Sequence, residues 1–244
     1  MKTVQAYIAD KQQLFARHPF FSRLARNAPL REINPVVSNL SFWVMAFQDV
    51  LRLNEARVEQ PDIKKLARHH RAEDAGHDKW FLGDLQKIDG SAPDLRAIFS
   101  SAHAATRDAS YALVSEVFRA TTDVERITLL LSLESTGHIF FENMASYLER
   151  MSVVQSLRYF SRHHIDVEKS HEVFEEEMHQ FLDSIELSED MSSTAMALVD
   201  RVYAAFHGMF NHFEALGLKE SARSLPAGSS PERPTAANAH LRVA

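Results

Sequence analysis

The sequence of 244 residues predicts an all-α fold, and three observations lead to that expectation. The chain has seven glycines and eight prolines. Their combined frequency is about half of the roughly 12% that is usual in globular proteins. No proline occurs between Pro93 and Pro226. Apolar residues recur at helical spacing along most of the chain. Long helices need few turn residues, so these features favour a bundle of about seven helices joined by short loops.

The first helices begin and end at recognisable signals. One helix is expected from about Thr3 to Ala25, with a break or kink at Pro19. Asn34-Pro35 is typical of an N-cap followed by proline at the first helical position, and it predicts a helix that reaches about residue 59. Pro61 predicts the start of one continuous helix that closes at Asp89-Gly90.

The later helices are predicted from capping patterns. Pro93-Asp94 opens one helix that runs to about Ala120. Thr122 and Glu125 form a capping box, and Ser152 with Gln155 forms a second one. Ser188 caps the last helix. The helices after these three caps are expected over the approximate ranges 123–150, 153–184 and 189–217.

Composition restricts the classes of function. The absence of cysteine excludes disulfides, thiolate metal sites, iron–sulfur clusters and a cysteine nucleophile. The net charge of −6 gives no basic field for nucleic acid, and no apolar run is long enough to span a membrane. The N-terminus has no apolar signal core, so we expect a cytoplasmic protein with one domain over 1–217. Small and polar residues over 218–244 predict a disordered tail.

Histidines and carboxylates recur at helical spacing in three segments. Side chains at positions i, i+3, i+4 and i+7 share one face of a helix. The segments are ARHHRAEDAGHDKW, LLSLESTGHIFFE and YFSRHHIDVEKSHEVFEEEMH. The candidates on shared faces are His70, Glu73, Asp74 and His77 in the first, Glu134 and His138 in the second, and His164, Glu168 and His171 in the third.

These residue types suit a metal site with two ions. Iron and manganese accept imidazole nitrogen and carboxylate oxygen, and helix bundles build dinuclear sites from such side chains on facing helices. A single His/Glu pair is commonly a solvated charge pair instead. Glu134, however, follows an almost wholly apolar run, where a carboxylate is costly unless it is paired or binds metal.

The three segments resemble the motifs of heme-oxygenase-like diiron oxidases. HHIDVEKSH, preceded by Tyr159-Phe160, is similar in spacing to the signature of that family, and SLESTGH is similar to its metal-binding glutamate segment, with leucine at 131 where tyrosine is usual. RAEDAGHDKWFLGDL resembles the stretch that supplies a glutamate and a histidine. Together with His18-Pro19-Phe20, the resemblance covers roughly residues 14–217 and implies the TenA/PqqC-like helical bundle.

The resemblance also implies a ligand set and a chemistry. Glu73 and Asp74 remain alternatives beside His77; Glu73 is favoured because its side chain is longer and lies one turn before His77. The expected ligands of two iron ions are Glu73, His77, Glu134, His164, Glu168 and His171, with His70, Asp74 and His138 as further candidates. The implied activity is an O₂-dependent oxidation of a small organic molecule. A homodimer is a further option.

Other classes remain as alternatives. A TenA-type thiaminase needs the cysteine that this chain lacks. A heme oxygenase would need His18 as proximal ligand, and the adjacent Pro19 makes a straight ligand helix awkward. A cofactorless oxidase that resembles PqqC, and a metal-binding protein without enzymatic activity, would each be separated from a diiron oxidase by iron analysis together with O₂ consumption.

Overall fold

A computed structural model describes residues 1–90, 92–153, 157–169 and 180–223, and these residues form helices without a strand. The all-α prediction is confirmed for this part of the chain. No helix within it is both long enough and apolar enough to cross a membrane. The helices are α1 Lys2–Phe15, α2 Pro19–Ala25, α3 Leu30–Asn39, α4 Ser41–Glu55, α5 Pro61–Glu73, α6 His77–Asp89, α7 Leu95–Ile98, α8 Ala104–Arg119, α9 Asp123–Arg150, α10 Arg162–Lys169 and α11 Glu189–Arg223. A 3₁₀ turn, Ser101–His103, links α7 to α8, and residues 180–184 are also helical.

The core lies around α11, which packs against α1, α2, α3, α8 and α9. Its apolar residues recur at intervals of three and four, so one stripe faces these neighbours. The buried members of that stripe include Ala195, Leu198, Val199, Val202, Phe206, Met209, Phe210 and Phe213. Burial of each larger side chain contributes on the order of 1.5–3 kcal/mol, so packing of this stripe contributes much of the stability of the bundle.

Several predicted helix signals are confirmed. The predicted break at Pro19 is confirmed, since α1 ends at Phe15 and α2 begins at Pro19. The N-cap of α2 is His18, which the sequence did not predict, and its Nδ1 accepts the N–H of Phe20 at 3.2 Å. Thr122 opens α9 with both hydrogen bonds of a capping box. Gly90 follows α6 with φ +72°, a conformation that favours glycine. Ser188 accepts the N–H of the third residue after it at 3.2 Å.

The predicted N-cap at Asn34 is wrong, because α3 begins at Leu30 and runs through Pro35. Pro29 precedes the helix with an extended ψ, and Glu32 lies in the first turn, where the helix dipole favours a carboxylate. The apolar face of α3 has to reach the core, and this outweighs the single backbone hydrogen bond that proline removes.

The predicted capping box at Ser152 is also wrong, because this residue closes α9 instead of opening a helix. Its φ is +57°, and its N–H bonds to the carbonyl of Glu149 at 3.0 Å. The N–H of Val153 bonds to the carbonyl of Leu148 at 3.1 Å, which completes a Schellman motif. Among the described residues, the next helix begins at Arg162. Gln155 lies outside the described residues.

The last helix is longer than expected and ends at Arg223 rather than near 217. The disordered tail was expected over 218–244; its first six residues, 218–223, are helical instead, and residues 224–244 lie outside the described residues. A buried ion-pair network anchors α11 to α2 and α3. Arg23 bonds to Glu214 through Nε at 2.9 Å and Nη2 at 2.7 Å, and to Glu32 through Nη1 at 2.8 Å.

Candidate functional site

A turn separates α5 from α6, and the candidate site lies at this turn. The single helix predicted from Pro61 to Asp89 is wrong, since residues 74–76 form a turn. Gly76 has φ +97°, which a residue with a side chain adopts only with strain. Gln48 of α4 donates from Nε2 to the carbonyl oxygen of Asp74 at 3.1 Å, which ties the turn to a neighbouring helix. Asp-Ala-Gly is a turn signal that the periodicity argument passed over.

Asp74, which directly follows α5, forms a cluster with His70 and Glu134, in which the His70 ring lies between the two carboxylates. Nε2 of His70 lies 2.9 Å from Oδ2 of Asp74 and 3.0 Å from Oε1 of Glu134. One ligand atom from each of the three residues lies within 4.8 Å of the others. The side chain of Asp74 is 14% exposed, whereas that of Glu134 is 57% exposed. The expectation that the apolar run before Glu134 buries this carboxylate is therefore wrong. The cluster therefore faces the interior on the α5 side and solvent on the α9 side.

The charged forms of His70 and Asp74 stabilise each other. Burial alone lowers the pKa of His70, but the charge of Glu134 and the hydrogen bond to Asp74 outweigh it and raise the pKa to about 9. Burial alone raises the pKa of Asp74, but hydrogen bonds from His70 and His77 outweigh it and hold that pKa well below its ordinary value. At neutral pH, without a metal, His70 is therefore an imidazolium between two carboxylates.

His77 extends the cluster towards the interior. Its Nδ1 lies 3.0 Å from Oδ1 of Asp74, and it is 4% exposed. An ionised carboxylate only accepts hydrogen bonds, so Nδ1 carries a proton, and in the neutral ring the lone pair is on Nε2. Among the described residues, Nε2 of His77 is buried and has no hydrogen-bond partner. Its ring packs against Trp80, with centroids 4.6 Å apart, and against His164, with centroids 4.3 Å apart.

His164 is oriented in the same way by a different acceptor. It is 1% exposed, and its Nδ1 lies 2.9 Å from the carbonyl oxygen of Tyr159. A carbonyl oxygen only accepts, so Nδ1 is the donor, and in the neutral ring Nε2 is again the nitrogen with the lone pair. The ring also packs on Phe141, with centroids 3.9 Å apart. Two histidines from different elements thus share one tautomer.

Asp74, His77 and His164 line one end of an apolar cavity. The cavity has a volume of about 70 Å³. The polar part of the wall also includes Gln48 and Thr136. Most of the remaining wall comes from α4, α9 and α11 and includes Trp43, Phe47, Phe140, Phe206, Met209 and Phe210. A lining that is mainly apolar with a few polar groups favours a ligand of the same character.

The structure brings together some of the residues proposed from the sequence. His70, Asp74 and Glu134 form the cluster, and His77 and His164 meet beside it. Glu73 does not join them, because its Oε1 lies 2.9 Å from Nε2 of His69 on another face of α5. The geometry therefore favours Asp74 over Glu73 as the carboxylate beside His77.

The remaining candidates are placed differently or are not described. His138 is exposed on α9 and is not one of the three clustered residues. The side chain of Glu168 and the whole of His171 lie outside the part of the chain that the structure describes. Sequence reasoning missed two supporting groups: Gln48, and the carbonyl oxygen of Tyr159. Neither carries a spacing signal, because one pairs with a turn and the other is a backbone atom.

Comparison with models of known protein families gives no match, and no curated protein matches the sequence significantly. The resemblance to heme-oxygenase-like diiron oxidases therefore rests on the motifs quoted above.

Proposed function

We propose that this protein is an O₂-dependent nonheme iron oxidoreductase with a heme-oxygenase-like fold, which binds two iron ions beside the apolar cavity and oxidises a small organic molecule there. The observation that carries the proposal is the convergence of His70, Asp74 and Glu134 next to Nε2 of His77, which is buried and has no hydrogen-bond partner among the described residues. The resemblance implies only the class of substrate and reaction. The reaction is C–H cleavage, N-oxygenation or oxidative decarboxylation.

The residues fit iron by two independent criteria. Imidazole nitrogen and carboxylate oxygen are the ligands that iron accepts at open octahedral sites. A buried ring nitrogen without a hydrogen-bond partner costs about 1–3 kcal/mol, and a metal ion at Nε2 of His77 would offset that cost. The residues that would hold the metal are His70, Asp74, His77, Glu134 and His164, with Glu168 and His171 as further expected ligands.

Metal binding would replace the proton on His70. The pKa of about 9 means that His70 is protonated at pH 7, and an imidazolium nitrogen cannot ligate. The proton leaves when a divalent cation takes its place between Asp74 and Glu134. Affinity for Fe(II) should therefore rise between pH 6.5 and 9.

The bound iron would supply the activation of O₂, and the chain would supply the site around it. Asp74 holds the proton on Nδ1 of His77 and so keeps Nε2 directed away from the turn. The apolar wall contributed by α4, α9 and α11 binds the hydrocarbon part of a substrate and limits access of water. Thr136 and Gln48 are the polar wall residues that could orient a substrate heteroatom.

The first test is Fe(II) binding under anaerobic conditions, with metal content measured on the washed protein. Two neighbouring pairs on α5 provide matched variants, since both join a histidine to a carboxylate four residues later at 2.9 Å. Asp74→Asn and His70→Gln should each weaken Fe(II) binding by about tenfold or more. Glu73→Gln and His69→Gln should leave it unchanged. Absence of iron binding in the wild type, or equal losses in both pairs, would contradict the proposal.

The second test is O₂ uptake by the iron-loaded protein, compared with that of the same concentration of free Fe(II). Faster uptake by the protein supports an oxidase or oxygenase. Iron bound at full occupancy with no acceleration of uptake would favour a metal-binding protein without enzymatic activity.

A metal-free function has one observation in its favour. The ion pairs of His70 with Asp74 and Glu134 already offset one of the two negative charges of the cluster without a cation. Under this alternative the chain is a cofactorless oxidase that resembles PqqC, or the cluster simply links α5 to α9. O₂-dependent turnover that persists in metal-free buffer would support the first form, and a loss of stability in Asp74→Asn without any effect of Fe(II) would support the second.

A further inference from the structure

We infer that Asp84 is a positioning residue that fixes the peptide group between Tyr159 and Phe160 and thereby presents Nε2 of His164 to the cavity. The inference deepens the proposed function and rests on it where metal affinity is concerned. The orientation of His164 itself can be tested without metal.

Asp84 is a carboxylate that α6 buries almost completely, at 1% exposure. Its two oxygens lie 3.0 and 2.9 Å from the backbone nitrogen of Arg158, and Oδ2 lies 3.2 Å from the backbone nitrogen of Phe160. A buried carboxylate needs such donors, because a charge without hydrogen bonds is very unfavourable in the interior. Lys87 lies 3.7 Å from Oδ1 but is 44% exposed, so the backbone N–H groups are the main partners.

The donors belong to a segment that has no helical hydrogen-bond ladder of its own. Residues 157–161 lie between α9 and α10 and are not helical. Phe160 is fully buried and packs on Phe81 of α6, with ring centroids 5.9 Å apart. Asp84 and Phe81 therefore hold the same segment against α6, one through hydrogen bonds and the other through packing.

The geometry of one peptide group connects Asp84 to His164. The carbonyl of Tyr159 and the N–H of Phe160 belong to the same planar peptide unit, and in a trans peptide they point in opposite directions. Asp84 holds the N–H on one side, so the carbonyl faces the other side. There it accepts the hydrogen bond from Nδ1 of His164 at 2.9 Å.

This arrangement determines which ring nitrogen faces the cavity. With the proton of His164 on Nδ1, its Nε2 keeps a lone pair. If the peptide rotated, the carbonyl would leave Nδ1, and the ring could take either tautomer or turn. Asp74 performs the corresponding function for His77 by direct contact, whereas Asp84 acts on His164 through the backbone.

The test compares Asp84→Asn with Lys87→Met. Asparagine keeps the size of the side chain and one oxygen, but its amide NH₂ cannot accept the N–H of Arg158. Lys87→Met removes the exposed cation at 3.7 Å and leaves every backbone hydrogen bond of Asp84 in place. If Asp84 acted through an ion pair with Lys87, both variants would behave alike.

The first readout is the tautomer of His164 in the metal-free protein, measured by ¹⁵N NMR of the histidine rings and assigned with His164→Gln. The wild type and Lys87→Met should show His164 with its proton on Nδ1, and Asp84→Asn should show a mixture of tautomers. An unchanged single tautomer in Asp84→Asn would overturn the inference, even if that variant were less stable.

The second readout needs no variant and covers the case in which Asp84→Asn does not fold. In the wild type, the amides of Arg158 and Phe160 should exchange with solvent at least about 100-fold more slowly than the same residues in an unfolded peptide. Exchange at the unprotected rate would show that the hydrogen bonds to Asp84 do not persist, and would overturn the inference.

The third readout is anaerobic Fe(II) affinity, which should fall by about 10- to 100-fold in Asp84→Asn and stay unchanged in Lys87→Met. Unchanged Fe(II) affinity in Asp84→Asn would contradict the metal-related part of the inference. If the wild type binds no Fe(II), the proposed function fails, while the tautomer and exchange measurements still decide whether Asp84 positions His164.

Discussion

The raised pKa of His70 predicts a specific loss of stability at alkaline pH in the metal-free protein. The imidazolium of His70 is stabilised in the folded chain, where its pKa is about 9, relative to the ordinary 6.5. A group with a raised folded pKa contributes stability that is complete below its unfolded pKa and is lost as the pH rises through its folded pKa. The window is therefore pH 6.5 to 9, and Asp74, whose pKa is lowered, stays ionised throughout it.

The magnitude follows from the same two values. Each pKa unit corresponds to about 1.4 kcal/mol, so the difference corresponds to about 3 kcal/mol before screening. Glu134 supplies part of this stabilisation and is 57% exposed, so solvent screening reduces its share. The free energy of unfolding should fall by about 1–3 kcal/mol across the window because of His70 alone.

The assay is urea unfolding of the metal-free protein, followed by circular dichroism at 222 nm at several pH values from 6 to 10. Because other groups also titrate there, the informative quantity is the difference between wild type and His70→Gln. That difference should shrink by about 1–3 kcal/mol as the pH rises. His69→Gln is the control and should retain the alkaline loss, since it leaves His70 and its partners in place. Parallel curves for wild type and His70→Gln would refute the reasoning.

Three further predictions concern the free energy of unfolding at pH 7, measured by denaturant titration. Gly76→Ala should cost about 1–2 kcal/mol because φ is +97° at this turn. Gly83→Ala within α6 should instead stabilise the fold by up to about 1 kcal/mol, because an added Cβ meets nothing within 4 Å. Equal effects of the two substitutions would contradict this prediction. Thr122→Ala should cost about 1 kcal/mol through loss of the α9 cap, and no change would show that the cap does not contribute. Arg23→Met should cost about 3 kcal/mol or more, since it leaves two largely buried glutamates without their cation, and a cost below about 1 kcal/mol would contradict that account.

The sequence predicted the fold class and several helix ends because those depend on local signals, but it missed the interruptions at residues 40, 74–76 and 99–103 inside helices that were predicted to be continuous. Thr122 and Ser188 satisfy backbone N–H groups within their own first turns, and Gly90 follows the last turn of α6. Such contacts depend on the order of residues alone. The errors arose where one residue type has two uses. Serine opens many helices, but Ser152 stands in the left-handed conformation that ends α9, and nothing local separates the two cases.

The candidate site was only partly predictable, because it depends on the turn that separates α5 from α6. The spacing argument treated His70, Asp74 and His77 as members of one straight helix. The turn at Gly76 instead brings Asp74 between the two histidines, at 2.9 Å from one and 3.0 Å from the other. Helical periodicity identified the right segment and gave the wrong geometry. Gln48 could not be found at all, since its role depends on how α4 packs against the turn.

Two neighbouring pairs on α5 show where sequence reasoning must stop. His69 with Glu73 and His70 with Asp74 have the same spacing and the same distance of 2.9 Å. One residue of offset rotates a helical position by about 100°, so the pairs lie on different faces of α5. Of the two histidines, His70 is the one that reaches Glu134 on α9, and Asp74 alone of the two carboxylates continues to His77 at the cavity. The residues that pack against each pair therefore decide whether it only stabilises the helix or is a candidate pair of metal ligands. The matched variants of these two pairs measure that difference directly.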